Sequence, residues 1–317
     1  MPPITLARHA MATRFEIVLH GGDTVALRAA GEEALGEVDR LEAQLSLYRN
    51  TSEVSHLNAR AGREPVRVTP GLFALLQQAK NLHQESGGAF DITIGPLVRC
   101  WGFMDGSGHL PAPGELAIAR AKVGMDLVHL DPQDFTVRFA REGVMLDLGA
   151  IGKGYAIERA AEVLRQAGIT SALLHGGTST IYALGRPPEA EFWKVAVENP
   201  QAQKPGCLPA MLAAVALKNE ALSVSAVQGK SFQEAGKTFG HVIDPRSGEP
   251  ANTALLAAVV LPSATETDAL STALLTLGRA GHEAIAKLRP GMRTLLLSEF
   301  EGKLRVETKG IAAHPNQ

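Results

Sequence analysis

Strand-like and helix-like segments are interspersed along this 317-residue chain, without the strict strand–helix–strand alternation of a doubly wound sheet. Near the N-terminus, Phe15, Ile17 and Leu19 alternate with their neighbours in a pattern typical of a half-buried strand. Thr69 and Pro70 resemble an N-cap and first-turn pair that opens a helix. The pattern predicts an α+β fold, with strands at 144–148, 169–175, 193–198, 211–217 and 254–261, and helices at about 25–47, 70–86, 154–167, 265–277 and 280–288.

Length and composition favour a large folded core. With 45% hydrophobic residues, we expect residues 1–317 to form either a single domain or two interlocked lobes. The segment 199–209, NPQAQKPGCLP, lies between two strand-like segments and is therefore predicted as a surface loop, not a domain linker.

Charge and apolar runs exclude several classes of partner. The formal net charge is −2 and the basic residues are scattered, so no basic stripe indicates nucleic acid or a membrane surface. No apolar run reaches the roughly 18 residues of a membrane span. The first residues lack a signal-peptide pattern, so we expect a cytoplasmic protein, or a periplasmic one if a leader has been removed. The two cysteines, Cys100 and Cys207, are expected to be reduced, partly buried thiols.

A glycine-rich turn with a lysine lies in the stretch VMLDLGAIGKGYAIERA, residues 144–160. Such a turn between a strand and a helix often binds phosphate at the helix N-terminus. The spacing of Gly149, Gly152 and Gly154 is not that of a dinucleotide fingerprint, and Lys153 is not followed by the Ser or Thr of a Walker loop. The alternative is a tight turn with a solvated Lys153.

The segment SATETDALSTALLTLG, residues 263–278, places two oxygen-bearing side chains on one helix face. Asp268 and Thr272 are four residues apart, so both could reach one ion. Carboxylate, hydroxyl and carbonyl oxygens suit magnesium, which keeps water and substrate phosphates among its ligands. The alternative is structural, because Thr265 and Asp268 also fit a capping box.

Two further segments carry more polar and glycine residues than a core needs. In FGHVIDPRSGEPA, residues 239–251, His241 is predicted at a strand end, where an imidazole could act as a general base or be structural. In GGAFDITIGPL, residues 87–97, Phe90 and Asp91 are expected to be exposed between a helix end and a short strand. There they could contact a ring and its polar edge, or be a core aromatic and a turn-capping Asp.

Five blocks in this order resemble the FAD:protein FMN transferase family, the ApbE-like flavin transferases. These five blocks are LSLYRNTSEVSHLN, GAFDITIGPL, DLGAIGKGY, HVIDPRSGEP and TDALST, and ahead of them the family pattern M-G-T is MAT here. The resemblance covers nearly the whole chain. It implies mixed, largely antiparallel sheets with packed helices in a T-fold-like architecture.

The resemblance also implies roles for individual residues. Magnesium would be held by the Ala150 carbonyl with the side chains of Asp268 and Thr272, and His241 would be the base. The positions expected to contact FAD are Met11, Tyr48, Ala89, Phe90, Asp91, Asp147, Lys153 and Ile243.

The implied activity is magnesium-dependent transfer of FMN from FAD to a Thr or Ser hydroxyl of an acceptor flavoprotein, with release of AMP. Acceptors in the family are typically subunits of redox complexes. An FAD pyrophosphatase would need the same metal site, and a flavin-binding protein without turnover is a further alternative. The chain departs from the family pattern at GGTS (176–179), at SVSA (223–226) and at Glu158, where an Asp is usual.

Overall fold

The computed structural model describes residues 2–106, 108–202, 209–227, 229, 231–234 and 236–313. It is an α+β fold, which confirms the predicted class. Each ladder between named strands in these residues is antiparallel, and one isolated parallel bridge joins Ile94 to Met145.

The α-helices of the described residues are α1 (Thr24–Leu45), α2 (Glu53–Arg60), α3 (Pro70–Glu85), α4 (Gly95–Cys100), α5 (Pro113–Arg120), α6 (Gly152–Gln166), α7 (Ala264–Leu277) and α8 (Arg279–Ile285). The strands are β1 (Ile4–Ala10), β2 (Thr13–Leu19), β3 (Val66–Arg67), β4 (Val128–Asp131), β5 (Thr136–Phe139), β6 (Ser171–Gly176), β7 (Thr180–Gly185), β8 (Trp193–Glu198), β9 (Met211–Leu217), β10 (Glu220–Ala226), β11 (Ser231–Glu234), β12 (Lys237–Gly240), β13 (Leu256–Leu261), β14 (Arg293–Phe300) and β15 (Lys303–Lys309).

The described residues form two compact units, each assembled from separate stretches of chain. The first unit comprises the described residues of Met1–Glu42, Ile151–Ala226 and Ala254–Gln317, and the second comprises those of Ala43–Ala150 and Val227–Thr253. Whether the whole chain folds as one domain or as two interlocked lobes stays a prediction.

An eight-stranded sheet is the centre of the first unit, with the strand order β1-β2-β6-β7-β10-β13-β14-β15. All six residues of β13, LAAVVL, are buried, because both faces of this central strand are covered. Leu256, Ala258 and Val260 pack in one core cluster with the β8–β9 hairpin. The alternate residues of β13 therefore face away from that hairpin, on the side of the sheet where α7 packs.

The second unit contains a three-stranded sheet, β3-β5-β4, a β11–β12 hairpin and helices α2 to α5. The predicted start of α3 is confirmed, since Thr69 Oγ1 accepts a hydrogen bond from the Leu72 N–H and Pro70 is the first helical residue. A small core cluster holds the hairpin against α4 through the aromatic rings of Trp101, Phe232 and Phe239.

Two strand predictions are wrong. Residues 144–148 form no ladder beyond the bridge at Met145, because other groups satisfy their backbone. The Asn58 amide bonds both the N–H and the C=O of Leu146, and the Asp147 N–H donates to Ile92 O. The short strand expected after Phe90 is likewise only the bridge at Ile94, where α4 begins.

Other expectations concern the loop, the thiols and the membrane. The described part of the 199–209 segment does lie between β8 and β9, as predicted. Cys100 is partly buried, as expected, whereas Cys207 lies outside the described residues. Among the described helices, none is long and apolar enough to cross a bilayer.

Candidate functional site

The crossing of α6 and α7 in the first unit is built on Gly154. Its N–H donates to Asp268 Oδ2 over 2.9 Å. A Cβ at this position would lie 2.2 Å from the Ala264 carbonyl oxygen and 2.7 Å from Asp268 Cβ. Gly154 is therefore required by the close approach of two helices, and not by a left-handed backbone conformation.

Asp268 projects from α7 into a buried environment. It is 4% exposed, and within the described residues its carboxylate forms no ion pair with a basic side chain. A buried carboxylate that lacks a cation is costly. This position therefore suits a cation supplied from outside the chain.

The N-terminus of α7 is capped by residues other than Asp268. The Ser263 hydroxyl accepts a hydrogen bond from the Glu266 N–H at 3.2 Å. Glu158 on α6 accepts from the Ser263 hydroxyl at 2.7 Å and from the Thr265 N–H at 2.8 Å. The capping box of Thr265 and Asp268 considered from the sequence is therefore wrong. The Asp268 carboxylate does not cap α7, and it accepts instead from the Gly154 N–H in the first turn of α6.

Hydroxyl groups surround the next turn of α7. Thr272 Oγ1 lies 3.3 Å from the Asp268 carbonyl oxygen and 3.2 Å from Ser225 Oγ. Ser271 Oγ lies 3.0 Å from the same carbonyl and 2.8 Å from Ser225 Oγ. Asp268 and Thr272 thus share one helix face, as the four-residue spacing predicts.

The oxygen donors at this position fit magnesium. One carboxylate and one hydroxyl would leave most of an octahedral shell to water and phosphate oxygens, as magnesium prefers. The described residues contain no cluster of three or more His, Cys, Asp or Glu side chains that could hold a metal. A metal held on α7 would therefore depend on the single charge of Asp268 and on neutral oxygens.

Two other predicted FAD contacts lie in the first unit. Lys153 is the second residue of α6 and is half-buried. Met11 lies in the two-residue turn between β1 and β2, where Met11 has φ 49° and Ala12 has φ 57°. Positive φ at two successive non-glycine residues is a strained arrangement that clusters at functional sites.

The GGTS departure lies against this turn. The Gly177 N–H donates to Arg14 O at 3.0 Å, and a Cβ at Gly177 would lie 2.3 Å from Thr13 Oγ1. The segment that differs from the family pattern is thus packed on the hairpin that carries Met11.

Phe90 and Asp91, in the second unit, are buried and not exposed as the sequence suggested. Phe90 is 1% exposed and Asp91 is 6% exposed, and Ala89 beside them is 1% exposed. Asp91 Oδ1 accepts hydrogen bonds from the Thr93 N–H and hydroxyl, at 2.7 and 2.6 Å. The expected exposure was wrong because the turn uses the carboxylate to satisfy its own backbone, as the structural alternative predicts.

His83 on α3 pairs with this buried turn. Its Nδ1 lies 3.1 Å from the Phe90 carbonyl oxygen and 3.1 Å from Asp91 Oδ2. Burial acts to lower the pKa of His83, but the hydrogen bond and negative charge of Asp91, with the Phe90 carbonyl and Asp126, raise that pKa above its usual value.

Tyr48, Asp147 and Ala150 also lie in the second unit. Tyr48 is 64% exposed, and partial burial together with the negative charges of Asp147 and Asp105 raises the pKa of its hydroxyl. Asp147 Oδ1 accepts a hydrogen bond from the Gly149 N–H at 2.8 Å. Ala150 is the last residue of its stretch of this unit, two positions before α6 in the chain.

His241 follows β12 directly, at a strand end as predicted. Ile243 is 5% exposed and forms an isolated bridge with Pro250. Both oxygens of Asp244 are bound by the Arg246 guanidinium, at 2.9 and 2.7 Å, and Oδ1 also accepts from the Arg246 N–H. Asp244 is therefore a turn residue held by Arg246.

This fold and these motifs are those of a flavin-transferase type of α+β protein. Comparison with known proteins identifies the family. The model of the ApbE family matches residues 11–296, so the chain belongs to the ApbE family.

Relatives and solved structures agree with this assignment. A protein of Treponema pallidum named FAD:protein FMN transferase is 32% identical over 285 residues, covering 86% of this chain and 77% of that protein. A protein of the same name from Haemophilus influenzae is 31% identical, covering 87% and 81%. The crystal structure of the ApbE protein of Thermotoga maritima has a TM-score of 0.86 at 25% identity and covers 96% of each chain. The apo form of the Pseudomonas stutzeri flavinyl transferase ApbE has a TM-score of 0.83 at 27% identity, with 96% and 94% covered.

Proposed function

We propose that this ApbE-family protein transfers FMN from FAD to a Thr or Ser hydroxyl of an acceptor flavoprotein, and that the reaction depends on magnesium and releases AMP. Its relatives' names, FAD:protein FMN transferase, support the transferase class. The observation that carries the magnesium dependence is the buried Asp268 carboxylate, which has no basic partner among the described residues.

Asp268 and Thr272 are the proposed side-chain ligands, with the Ala150 carbonyl as the third protein oxygen. When bound, magnesium would stabilise negative charge on the phosphate oxygens of FAD. The Gly154 N–H fixes one oxygen of Asp268, which orients the other lone pairs of the carboxylate. The Ala150 carbonyl stays a prediction of the family resemblance.

His241 is the proposed general base. A bond forms between the acceptor hydroxyl oxygen and the flavin-side phosphorus, the bond from that phosphorus to the bridging oxygen breaks, and AMP leaves. The hydroxyl proton passes to the imidazole of His241. Because Arg246 binds both oxygens of Asp244, we propose His241 and not Asp244 as the proton acceptor.

The other residues proposed to contact FAD differ in how accessible their side chains are. Exposed Tyr48 and half-buried Met11 and Lys153 present side-chain atoms that a ligand could reach. Ala89, Phe90 and Asp91 are buried, so we propose that they act by holding the backbone of their turn in place. Asp147 and Ile243 are proposed as further contacts.

The test is to incubate the protein with FAD and magnesium, with and without an acceptor flavoprotein subunit of a redox complex. We expect AMP only when the acceptor is present, together with flavin fluorescence that stays with the denatured acceptor. AMP formation without acceptor would show an FAD pyrophosphatase instead. FAD binding without AMP in either mixture would show a flavin-binding protein that has no turnover.

A further inference from the structure

Two serines of β10 bond successive turns of α7 in the first unit. Ser223 Oγ donates to Thr267 Oγ1 at 2.8 Å, and Ser225 Oγ bonds Ser271 and Thr272. A step of two residues along a strand and a step of four along a helix both advance about 6 to 7 Å. The serines and the α7 hydroxyls therefore meet in register.

The two pairs differ in what lies beside them. Ser223 and Thr267 are fully buried, and Thr267 donates onward to the Ala264 carbonyl at 2.9 Å. Ser225 and Thr272 are only partly buried, and Thr272 is a proposed magnesium ligand. The Ser223–Thr267 pair therefore joins the strand to the helix. The Ser225–Thr272 pair contains a proposed metal ligand, and Ser225 can affect how that ligand is oriented.

We infer that Ser225 is a positioning residue that orients the Thr272 hydroxyl toward a bound divalent cation, an inference that rests on the proposed function. A threonine hydroxyl has one proton and two lone pairs. A lone pair points at a cation only if the proton is donated elsewhere.

The hydroxyls around Ser225 form one hydrogen-bonded chain. Thr272 and Ser271 both donate to the Asp268 carbonyl, at 3.3 and 3.0 Å. Ser225 Oγ lies 3.2 Å from Thr272 Oγ1 and 2.8 Å from Ser271 Oγ, so Ser225 is the donor to these two oxygens and its proton occupies one lone pair of Thr272. Each hydroxyl gives one proton, and bonds aligned in this way strengthen one another. The chain holds the free lone pair of Thr272 on the side away from Ser225.

The experiment measures binding of Mn²⁺ alone, as a magnetic probe for the magnesium site, from the electron paramagnetic resonance signal of free Mn²⁺. The variants are Ser225→Ala, Ser225→Thr and Ser223→Ala. Loss of a group that orients a metal ligand typically lowers affinity at least tenfold. We therefore expect Ser225→Ala to raise the Kd for Mn²⁺ by about tenfold or more, while Ser225→Thr stays within about twofold of wild type.

Ser223→Ala is the matched control, since it removes a hydroxyl from the same strand face. It should lower the melting temperature, because it removes the hydroxyl that Thr180 bonds and the bond that Thr267 accepts, both in a buried environment. It should leave Mn²⁺ affinity unchanged. Wild-type affinity in Ser225→Ala would overturn the inference. So would equal loss in Ser223→Ala, or a failure of Ser225→Thr to restore binding.

A wild-type protein that binds no Mn²⁺ would overturn the metal assignment itself, and with it the role of Ser225. The transferase proposal is judged separately, from AMP release with and without acceptor. If Ser225 has no positioning role, only the Mn²⁺ affinities of the variants will differ from those expected. If the proposed function is wrong, the pattern of AMP release will differ.

Discussion

At the scale of single residues, Asp268 lowers stability and serves the proposed function, and the two effects can be separated experimentally. A buried carboxylate without a basic partner among the described residues destabilises the metal-free fold. Asp268→Asn keeps the size of the side chain and an oxygen that can accept from the Gly154 N–H. We expect turnover to fall by at least about a hundredfold, since several kcal/mol of charge stabilisation depend on a metal ligand. The melting temperature in metal-free buffer should stay the same or rise.

AMP release and thermal unfolding of Asp268→Asn, each measured with and without magnesium, check this prediction. Normal AMP release by the variant would remove Asp268 from the metal site. A large fall in melting temperature with unchanged magnesium affinity would assign it a structural role.

His241 is the second residue whose role can be isolated. A general base must be neutral to accept a proton, so turnover should rise with pH as the imidazole loses its proton. His241→Asn should remove this acidic limb and slow transfer by on the order of a hundredfold or more, with little change in folding or FAD binding. The measurement is transfer rate against pH.

Asp244→Asn is the matched comparison, two residues along the same turn. Because Asp244 is held by Arg246, we expect this variant to keep the acidic limb. An acidic limb that persists in His241→Asn and disappears in Asp244→Asn would transfer the role of base to Asp244.

His83 gives a prediction about pH and stability. Its pKa is raised in the folded state, so its pairing with Asp91 stabilises the fold fully below the unfolded pKa of about 6.5. This contribution is lost as pH rises through the higher folded pKa. In urea unfolding from pH 5 to 9, His83→Gln should lose this part of the pH dependence.

The control is His129→Gln, at an exposed position on β4, which should follow the wild-type curve. If His83→Gln and wild type lose stability in parallel as pH rises, the His83–Asp91 pair does not stabilise the turn.

At the scale of the elements, the crossing of α6 and α7 depends on the absence of a side chain at Gly154. The Cβ of Gly154→Ala would lie 2.2 Å from the Ala264 carbonyl oxygen, so the helices must move apart. We expect a loss of about 1–3 kcal/mol in the free energy of unfolding and weaker Mn²⁺ binding, because Asp268 moves with α7.

Gly36→Ala is a matched substitution, since Gly36 lies within α1 and a Cβ there meets nothing within 4 Å. It should stabilise the protein by up to about 1 kcal/mol. Urea unfolding of both variants measures the difference. Equal stability changes in the two would show that the α6–α7 contact is not tight in solution.

The elements also show what the sequence could predict. Periodicity located β2, α1, α3 and α6 because each has one buried face. α7 was located as well, although it is buried on nearly all sides. It failed at residues 144–148, because an apolar run bound by the Asn58 amide is indistinguishable in sequence from a strand. The conformation of that backbone is determined by a side chain that lies 88 residues away along the chain.

The candidate site was predictable to a similar extent. The spacing of Asp268 and Thr272 placed both on one helix face without any structural information. Glu158 and Ser225 were recognised only as departures from a family pattern, because their partners on α7 are contacts across the fold. The burial of Phe90 and Asp91 was missed, because an Asp that caps a turn and an Asp that binds a ligand occupy similar sequences.

At the scale of the whole molecule, the proposed reaction depends on a cation that the chain itself does not supply. With EDTA, FAD should still bind, because its proposed contacts include residues other than Asp268 and Thr272, but AMP release should fall to background. Added magnesium should restore release. FAD binding by fluorescence and AMP by chromatography check both parts, and an unchanged rate in EDTA would contradict the oxygen-ligand assignment.

The serine pair of β10 also bears on how the chain avoids misfolding. Leu222 and Val224 pack with the β8–β9 hairpin, while Ser223 and Ser225 bond α7 on the other face. If β10 slipped by one residue during folding, the serines would face the apolar hairpin and the leucine and valine would face the hydroxyls of α7. Both faces of the strand would then be mismatched at once. The same hydroxyls that are proposed to orient a metal ligand would therefore also select the native register of β10, because the misregistered sheet would be much less stable.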